Sequence, residues 1–461
     1  MKKRIPLHWK IIAGLVLGII YGLAAVKFGW ADFTEIWIKP WGTIFINLLK
    51  VIAVPLILAS LINGISNLND TSKLSRIGLK TIIFYLSTTV IAITLGLILV
   101  NITNPGHVFP EAKRIELQAI YAQNVQQGQN SAGTIEHSSP LQFLVDMVPS
   151  NIFSAMGQNG QMLQVIFFAI IFGIAMVSLP QNKVKPVKSF IESANTIILR
   201  LIDMIMLFAP YGVFALLSSV VVSVSGDNMN DTFSLFASLG LYGITVIIGL
   251  FLMIFVVYPI ILMIFTKVKY KNFYRGIFPA QLLAFSTSSS AATLPLSMEV
   301  AEKRLGIDQE VTSFVLPVGA TINMDGTSIY QAVAAVFIAQ VYGMDLDLSQ
   351  QLTIVFTAVL ASIGSAAVPG AGIVMLVIVL TAIGVPTEGV ALIFALDRLL
   401  DMFRTVVNIT GDNTVACIIG ASEKKIDYSI ANAEKLDEQP QEIIFNNAAD
   451  KDEIGMVKKN L

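Results

Sequence analysis

The chain has 461 residues, 55% of them hydrophobic and only 13% charged, with a mean hydropathy of +0.73. Soluble domains carry about a quarter charged residues, so the composition excludes an ordinary soluble enzyme or binding module and places the chain in a bilayer. A formal net charge of −1 gives no basic footprint for nucleic acid. Cys417 is the single cysteine, which excludes an intramolecular disulfide and a cysteine metal site. His8, His107 and His137 are too far apart for a ligand motif.

Met1, Lys2, Lys3 and Arg4 precede an apolar run from Ile11 to Val26, as in a signal peptide. The apolar runs that follow favour a retained first membrane helix instead. Runs of about 20 residues or more, long enough to span, fall near 9–28, 43–65, 80–103, 162–179, 193–224 and 236–266. The last two are long enough to tilt or to extend beyond the bilayer. Lys73, Arg76 and Lys80 follow the second run, Lys183, Lys185 and Lys188 the fourth, and Lys267, Lys269, Lys271 and Arg275 the sixth. The loop 226–231 holds Asp227 and Asp231 and no base. By the positive-inside rule the N-terminus is cytoplasmic and the runs alternate. The stretch 104–140, with Lys113 and Arg114 beside Glu111 and Glu116, reads as a long outside loop, which obeys that rule weakly.

Beyond residue 275 the runs are broken in mid-course. Segment 276–305 is interrupted by Ser286-Thr287-Ser288-Ser289-Ser290 and Pro295, and segment 349–385 by Ser362-Ile363-Gly364-Ser365 and Pro369-Gly370-Ala371-Gly372. Non-helical backbone at membrane depth must be buried in protein or line a cavity, and a pair of such broken segments points to a transporter's binding site. Both are read as re-entrant helical hairpins, with kinked spanning helices as the alternative. Each is followed by a helical segment, 311–341 and 387–418, that carries polar groups. Residues 422–461 are polar and read as a disordered cytoplasmic tail.

The last helix carries Asp397, Asp401, Arg404, Asn408 and Asp412, which at 100° per residue fall within about 80° of one another. A charge at mid-bilayer costs roughly 2.5–3.5 kcal/mol, so four charges demand pairing or use. A neutralising network that only holds helices together is the plainer explanation. Thr321-Ile322-Asn323-Met324-Asp325-Gly326-Thr327 is a second signal: Gly326 permits an unwound turn, and the freed carbonyls with carboxylate and amide oxygens suit an alkali cation. Tyr85, Thr88 and Thr89 form a weaker oxygen cluster, since hydroxyls at helical spacing are more often helix-packing contacts. Arg404 is a planar fork suited to a carboxylate, and Asp401, on the same face, suits an ammonium group. Asn408 and backbone N–H groups at a hairpin tip such as Ser290 can hold a second carboxylate. Together these describe an acidic amino acid, leaving Asp325 and Asp412 for cations.

Four motifs in order, Ser288-Ser289-Ser290 with Thr293-Leu294-Pro295, Asn323-Met324-Asp325-Gly326-Thr327, Ser362-Ile363-Gly364 running to Gly372, and Asp401-Met402-Phe403-Arg404-Thr405 with Asn408 and Asp412, carry a resemblance. The chain resembles the dicarboxylate/amino acid:cation symporters, which include the animal excitatory amino acid transporters and archaeal aspartate transporters, over nearly its whole length except the tail. That resemblance implies an all-α polytopic membrane protein with eight transmembrane helices, two re-entrant hairpins and inverted repeats, working as an elevator and assembled as a homotrimer. It divides the chain into 1–79 (two helices, mostly scaffold), 80–140 (third helix, of the transport domain, and outside loop), 141–235 (fourth and fifth helices, scaffold), 236–421 (transport core) and the tail 422–461. It implies no enzymatic activity, a location in the cell membrane with both termini cytoplasmic, the bacterial inner membrane best fitting the short loops, and no nucleic-acid partner.

By the same resemblance Arg404 binds the substrate's side-chain carboxylate and Asp401 its amino group. Asn408 and Ser290 hold the main-chain carboxylate, and Thr327 and the backbone at Val368 complete a pocket that Ser288, Ser289, Gly372 and Thr405 also line. Three sodium ions per substrate are implied. One would use Asn408, Asp412 and the carbonyls of Gly319 and Asn323. Another would use the carbonyls of Thr321, Ser362, Ile363 and Ser365, and a third Tyr85, Thr88, Thr89, Asn323 and Asp325. Archaeal members carry an arginine where this chain has Ser288, animal carriers one where it has Met402, and potassium-coupled carriers a glutamate where it has Gln331. Glutamine cannot take and release a proton, so neither proton cotransport nor potassium countertransport is expected through that position. Neutral exchangers replace the arginine at 404 and plain dicarboxylate carriers lack the aspartate at 401; this chain keeps both. An intramembrane aspartyl protease is disfavoured, because Ile409 stands where the first glycine of a G-x-G-D motif would be and Arg404 disfavours a shared-proton dyad. Chloride leak would be a side activity.

Overall fold

The computed structural model describes residues 7–66, 75–111, 113–115, 117, 148–157, 162–225, 229–364 and 370–433. The described chain is helical, with no strand beyond an isolated antiparallel bridge between Ile307 and Ile426. Helix α1 is Leu7–Phe28. Helix α2, Lys39–Leu56, runs through a π turn, Ile57–Leu61, into Ile62–Ser66. Then come α3, Ser75–Thr103; α4, Met162–Ser178; and α5, Gln181–Ser225. Helix α6, Met229–Leu252, continues through another π turn, Met253–Val257, into Tyr258–Phe265. Three stretches, Ile77–Val108, Gln181–Val222 and Phe233–Phe265, are long and apolar enough to cross a membrane, and Ala13–Phe28 and Gln164–Ser178 are shorter apolar helices.

Two helical hairpins follow. The first pairs α7, Tyr270–Thr287, with α8, Ser290–Lys303. Ser288 closes α7 in the left-handed region, φ 51°, and Ser289 caps α8 by accepting the Ala292 N–H at 3.2 Å, a local arrangement that serine side chains favour. The second pairs α11, Leu348–Gly364, with α12, Ala371–Ala382; Gly370 enters α12 at φ 82°, a conformation glycine adopts without strain. Between the hairpins, α9, Gln309–Ile322, and α10, Asp325–Val341, are separated by the non-helical residues Asn323 and Met324. Helix α13, Val390–Ser422, ends the bundle.

Packing sorts these helices into two groups. Helices α1 and α2 pack on α5, and α4 packs on Ile62–Ser66. Small residues let α1 approach closely: a Cβ on Gly14 would fall 2.3 Å from the Pro210 carbonyl oxygen and one on Gly18 2.8 Å from that of Phe214. The second group packs α3 on α10, and α7, α9 and α10 on α13. The groups meet where α12 touches α2 and α4 and α5 touches α6. Helix α10 is buried along its whole length, so its polar residues are interior groups.

Of the expected disordered tail, residues 434–461 lie outside the described residues. Residues 423–433 are ordered and fold back as a strap, with α14 at Tyr428–Ala431. Asp427 N–H donates to the Gly306 carbonyl at 2.8 Å, Lys269 N–H to Asn432 Oδ1 at 2.8 Å, and Asn432 Nδ2 to the Lys267 carbonyl at 3.1 Å. Polar composition suggests disorder, but these bonds to residues far away in sequence satisfy the strap's polar groups and hold it on the first hairpin.

Candidate functional site

The site centres on the break between α9 and α10. A helix break exposes backbone groups that need partners, and the last helix supplies them. Asn408 Oδ1 accepts the Gly326 N–H at 2.8 Å, and Asp412 Oδ1 accepts from Asn323 Nδ2 at 3.0 Å. The second hairpin supplies another: Ser362 Oγ donates to the Ile322 carbonyl at 3.1 Å and accepts the Met324 N–H at 3.2 Å. The unwound residues are Asn323 and Met324, whereas Gly326 lies in the first turn of α10. Gly326 therefore serves another purpose than unwinding: a Cβ there would fall 2.4 Å from the Arg404 carbonyl oxygen, so its missing side chain lets α10 and α13 touch.

Beside the break lies an oxygen-rich, anionic region. Asp325 is fully buried and accepts from Thr89 Oγ1 and from the Tyr258 hydroxyl, both at 2.8 Å. Thr88 Oγ1 lies 3.5 Å from Asn323 Oδ1. The Tyr85 hydroxyl donates to the Val315 carbonyl at 2.9 Å. Gly319 leaves room between the flanking groups: a Cβ would fall 2.4 Å from the Tyr85 oxygen and 2.5 Å from Asp412 Oδ1. The Gly319 carbonyl accepts the Asn323 N–H at 2.8 Å, leaving one lone pair. The Thr321 hydroxyl bonds its own helix, to the Val318 carbonyl at 2.9 Å. Tyr85, Thr88, Thr89, Gly319, Asn323, Asp325, Asn408 and Asp412 thus share one neighbourhood, with Ser362 at its edge. Ile363 is on the last turn of α11, and Ser365 and Val368 lie outside the described residues. Asp325 and Asp412 are both buried, and among the described residues neither has a lysine, arginine or histidine partner.

One turn away, Arg404 is fully buried. Its Nη2 donates to Asp401 Oδ1 at 2.7 Å and sits 2.9 Å from Asp397 Oδ1. Its guanidinium lies 4.0 Å above the centre of the Tyr330 ring, a favourable cation–π placement. Its Nε and Nη1 are buried without a hydrogen-bond partner. Leaving such donors unpaired costs about 1–3 kcal/mol or more, so the geometry favours an incoming anion. Gly372 keeps that side open, since a Cβ there would fall 2.9 Å from Nη1 and 3.2 Å from the Thr327 methyl. Asp401 Oδ2 accepts the Gly370 N–H at 3.3 Å and lies 3.5 Å from Arg398, tying the second hairpin to α13. Thr405 Oγ1 donates to the Asp401 carbonyl at 2.8 Å, fixing the same turn. Ser288, Ser289 and Ser290 are buried at the first hairpin's tip, and Ser288 Oγ has no partner there.

Tyr258 and Tyr330 were missed in the sequence. Both sit in apolar runs where an aromatic residue reads as packing, and only the tertiary fold brings their hydroxyl and ring onto charged groups. Asp397, seen in the stripe but given no role, is a second anchor of Arg404.

Comparison with known proteins places the chain in a family. Residues 7–422 match the model of the sodium:dicarboxylate symporter family. A proton/sodium-glutamate symport protein of Bacillus caldotenax is 36% identical over 431 residues, covering 91% of this chain and 95% of the relative. The human excitatory amino acid transporter 2 is 37% identical over 421 residues, covering 82% and 72%. A proton/glutamate-aspartate symporter of Escherichia coli is 33% identical over 440 residues, covering 93% and 96%. The match over residues 7–422 and these relatives show the family: this chain belongs to the sodium:dicarboxylate symporter family, a family of membrane transporters rather than of enzymes.

Proposed function

We propose that the protein is a secondary active transporter that carries L-aspartate or L-glutamate into the cell together with sodium. The observation that carries this reading is the pairing of two unlike sites about two turns apart along α13. Arg404 offers unpartnered donors to an anion, and Asp325 and Asp412 are buried anions without cationic side chains. A buried charge is tolerated only when paired, so cations complete the second site as the anionic substrate completes the first. Because Asn408 bonds the α9–α10 break and lies one turn from Arg404, ion binding and substrate binding share their supports. That is the structural basis of coupling.

Arg404 holds the side-chain carboxylate, Asp401 the amino group, and Asn408 with the first hairpin's tip the main-chain carboxylate. Ser288, Ser289, Ser290, Thr327, Val368, Gly372 and Thr405 enclose the substrate. Three sodium ions use the oxygen groups of α3, the α9–α10 break, the tip of α11, and α13. At 100 mV and a tenfold gradient, three inward sodium ions less one substrate charge supply about 9 kcal/mol, enough for roughly a millionfold accumulation. The division into 1–79, 80–140, 141–235 and 236–421 follows the two packing groups, the second moving against the first as an elevator in a homotrimer. A variant reading, in which a proton replaces a sodium ion, is favoured by the proton-coupled names of the bacterial relatives; Gln331, which is not ionisable, supports sodium. Equilibrium binding tests the assignment. L-Aspartate affinity should rise steeply with sodium, and succinate, which has no ammonium group for Asp401, and serine, which has no side-chain carboxylate for Arg404, should compete poorly. Competition by succinate equal to that by aspartate would remove Asp401 from its role.

A further inference from the structure

One concave surface has no part in that function. Helices α6, α7 and α13 enclose an apolar cavity of about 360 Å³, walled by Phe251, Phe255, Tyr274, Phe278, Phe285 and Phe403. Its rings interlock: Phe403 meets Phe285 at 5.2 Å and Phe251 at 6.1 Å, both edge to face. Its polar groups are already satisfied, because the Tyr274 hydroxyl donates to the Ile254 carbonyl and Gln281 Nε2 to Thr410 Oγ1. The cavity opens outward, where Phe255 is 65% and Phe278 59% exposed. In a membrane protein such a face meets hydrocarbon, and ring-lined apolar walls suit an acyl chain.

One end of the groove is charged. Lys271 lies seven residues before Phe278 and fourteen before Phe285, which places all three on one face of α7 over about 21 Å. Lys267 and Lys269 stand in the turn before α7, and all three lysines are exposed. One leaflet holds roughly half of a ~30 Å hydrocarbon core. The aromatic groove is therefore about one leaflet deep, with cations at its headgroup end.

We propose that this groove binds an anionic phospholipid, with an acyl chain against Phe278, Phe285 and Phe403 and the phosphate held by Lys267, Lys269 and Lys271. Basic pockets at the ends of membrane helices hold anionic headgroups, and a zwitterionic lipid gains far less from the same lysines, so selection is by charge. The bound chain lies against the substrate machinery: Phe403 precedes Arg404, and Phe285 is three residues before Ser288. The competing occupant is the chain's own acidic stretch, Glu434, Asp437 and Glu438. The last described residue before it, Ala433, accepts through its carbonyl from Asn272 on α7 at 3.1 Å.

The test is fluorescence quenching in vesicles. Phe278→Trp is introduced into the full chain, whose four native tryptophans are subtracted with the parent protein. Brominated phosphatidylglycerol and brominated phosphatidylcholine are compared at equal mole fraction. Phosphatidylglycerol should quench with at least about fivefold higher apparent affinity. That excess should vanish in Lys267→Gln/Lys269→Gln/Lys271→Gln while quenching by phosphatidylcholine stays. Should the triple variant fail to fold, raising choline chloride on the Phe278→Trp protein alone should shrink the excess. Equal quenching by the two lipids, as expected if the acidic stretch fills the lysines, overturns the proposal. So does an excess that survives both charge removal and salt.

Discussion

Arg404 is held through Nη2 by both Asp397 and Asp401, with the Tyr330 ring beneath the guanidinium, and its Nε and Nη1 have no partner. A lysine has neither the planar fork nor the ring-stacking face. Arg404→Lys should therefore lower apparent aspartate affinity by about 100-fold or more, measured as the concentration dependence of uptake, while the protein still folds. Gly372→Ala tests the same space without touching charge. Its methyl would meet Nη1 at 2.9 Å, so the guanidinium must shift, and affinity should fall by about tenfold, in keeping with overpacking costs of roughly 1–3 kcal/mol. Tyr258→Phe removes one of the two hydroxyls that bond Asp325. A hydrogen bond to a charged group contributes about 1.5–3 kcal/mol, so the sodium concentration for half-maximal uptake should change by about tenfold or more, and an unchanged sodium curve would remove Tyr258 from the ion site. At this scale the sequence was legible where polarity itself is improbable: Asp401, Arg404, Asn408 and Asp412 stand out on an apolar helix. It was illegible where the functional group is part of an ordinary apolar pattern, as with Tyr258 and Tyr330, and it misassigned Gly326, whose role is close helix contact.

Among the elements, the two hairpins and the α9–α10 break were readable because Ser, Gly and Pro punctuate apolar runs in mid-course. The strap after α13 was not, because its composition is that of a solvated segment and its order depends on partners far away in sequence. Asp427 shows how it is held. The Ser429 hydroxyl donates to its carboxylate at 2.6 Å and the Ser429 N–H at 2.8 Å, which lowers its pKa from the ordinary carboxylate value. A carboxyl held low in the folded state contributes fully above its unfolded value of about 3.9, and the contribution is lost as pH falls through the lower folded value. The strap should accordingly keep its amide protection at pH 6–7 and lose it, ahead of the bundle, below about pH 4. Hydrogen exchange of residues 427–432 read by mass spectrometry checks this. Asp427→Asn should make the protection insensitive to pH across that range.

For the whole molecule, α1, α2, α4 and α5 form one packed group, and α3, α6 and the helices from α7 to α13 form the other, and the elevator proposed above would have its seam between them. Low charge and repeated apolar runs already announced a membrane bundle, but no local pattern tells which helices move together, since that is decided by packing partners. Gln331, buried on α10, should make internal potassium irrelevant: uptake with and without it should agree within error, and a clear dependence would show that another group carries the counter-ion. Sodium-driven uptake of an acidic amino acid is read out by accumulation of labelled L-aspartate and L-glutamate in proteoliposomes with external sodium or with choline in its place. Steep accumulation is expected in sodium and should be abolished by choline. Accumulation that persists in choline and follows an inward proton gradient would contradict it.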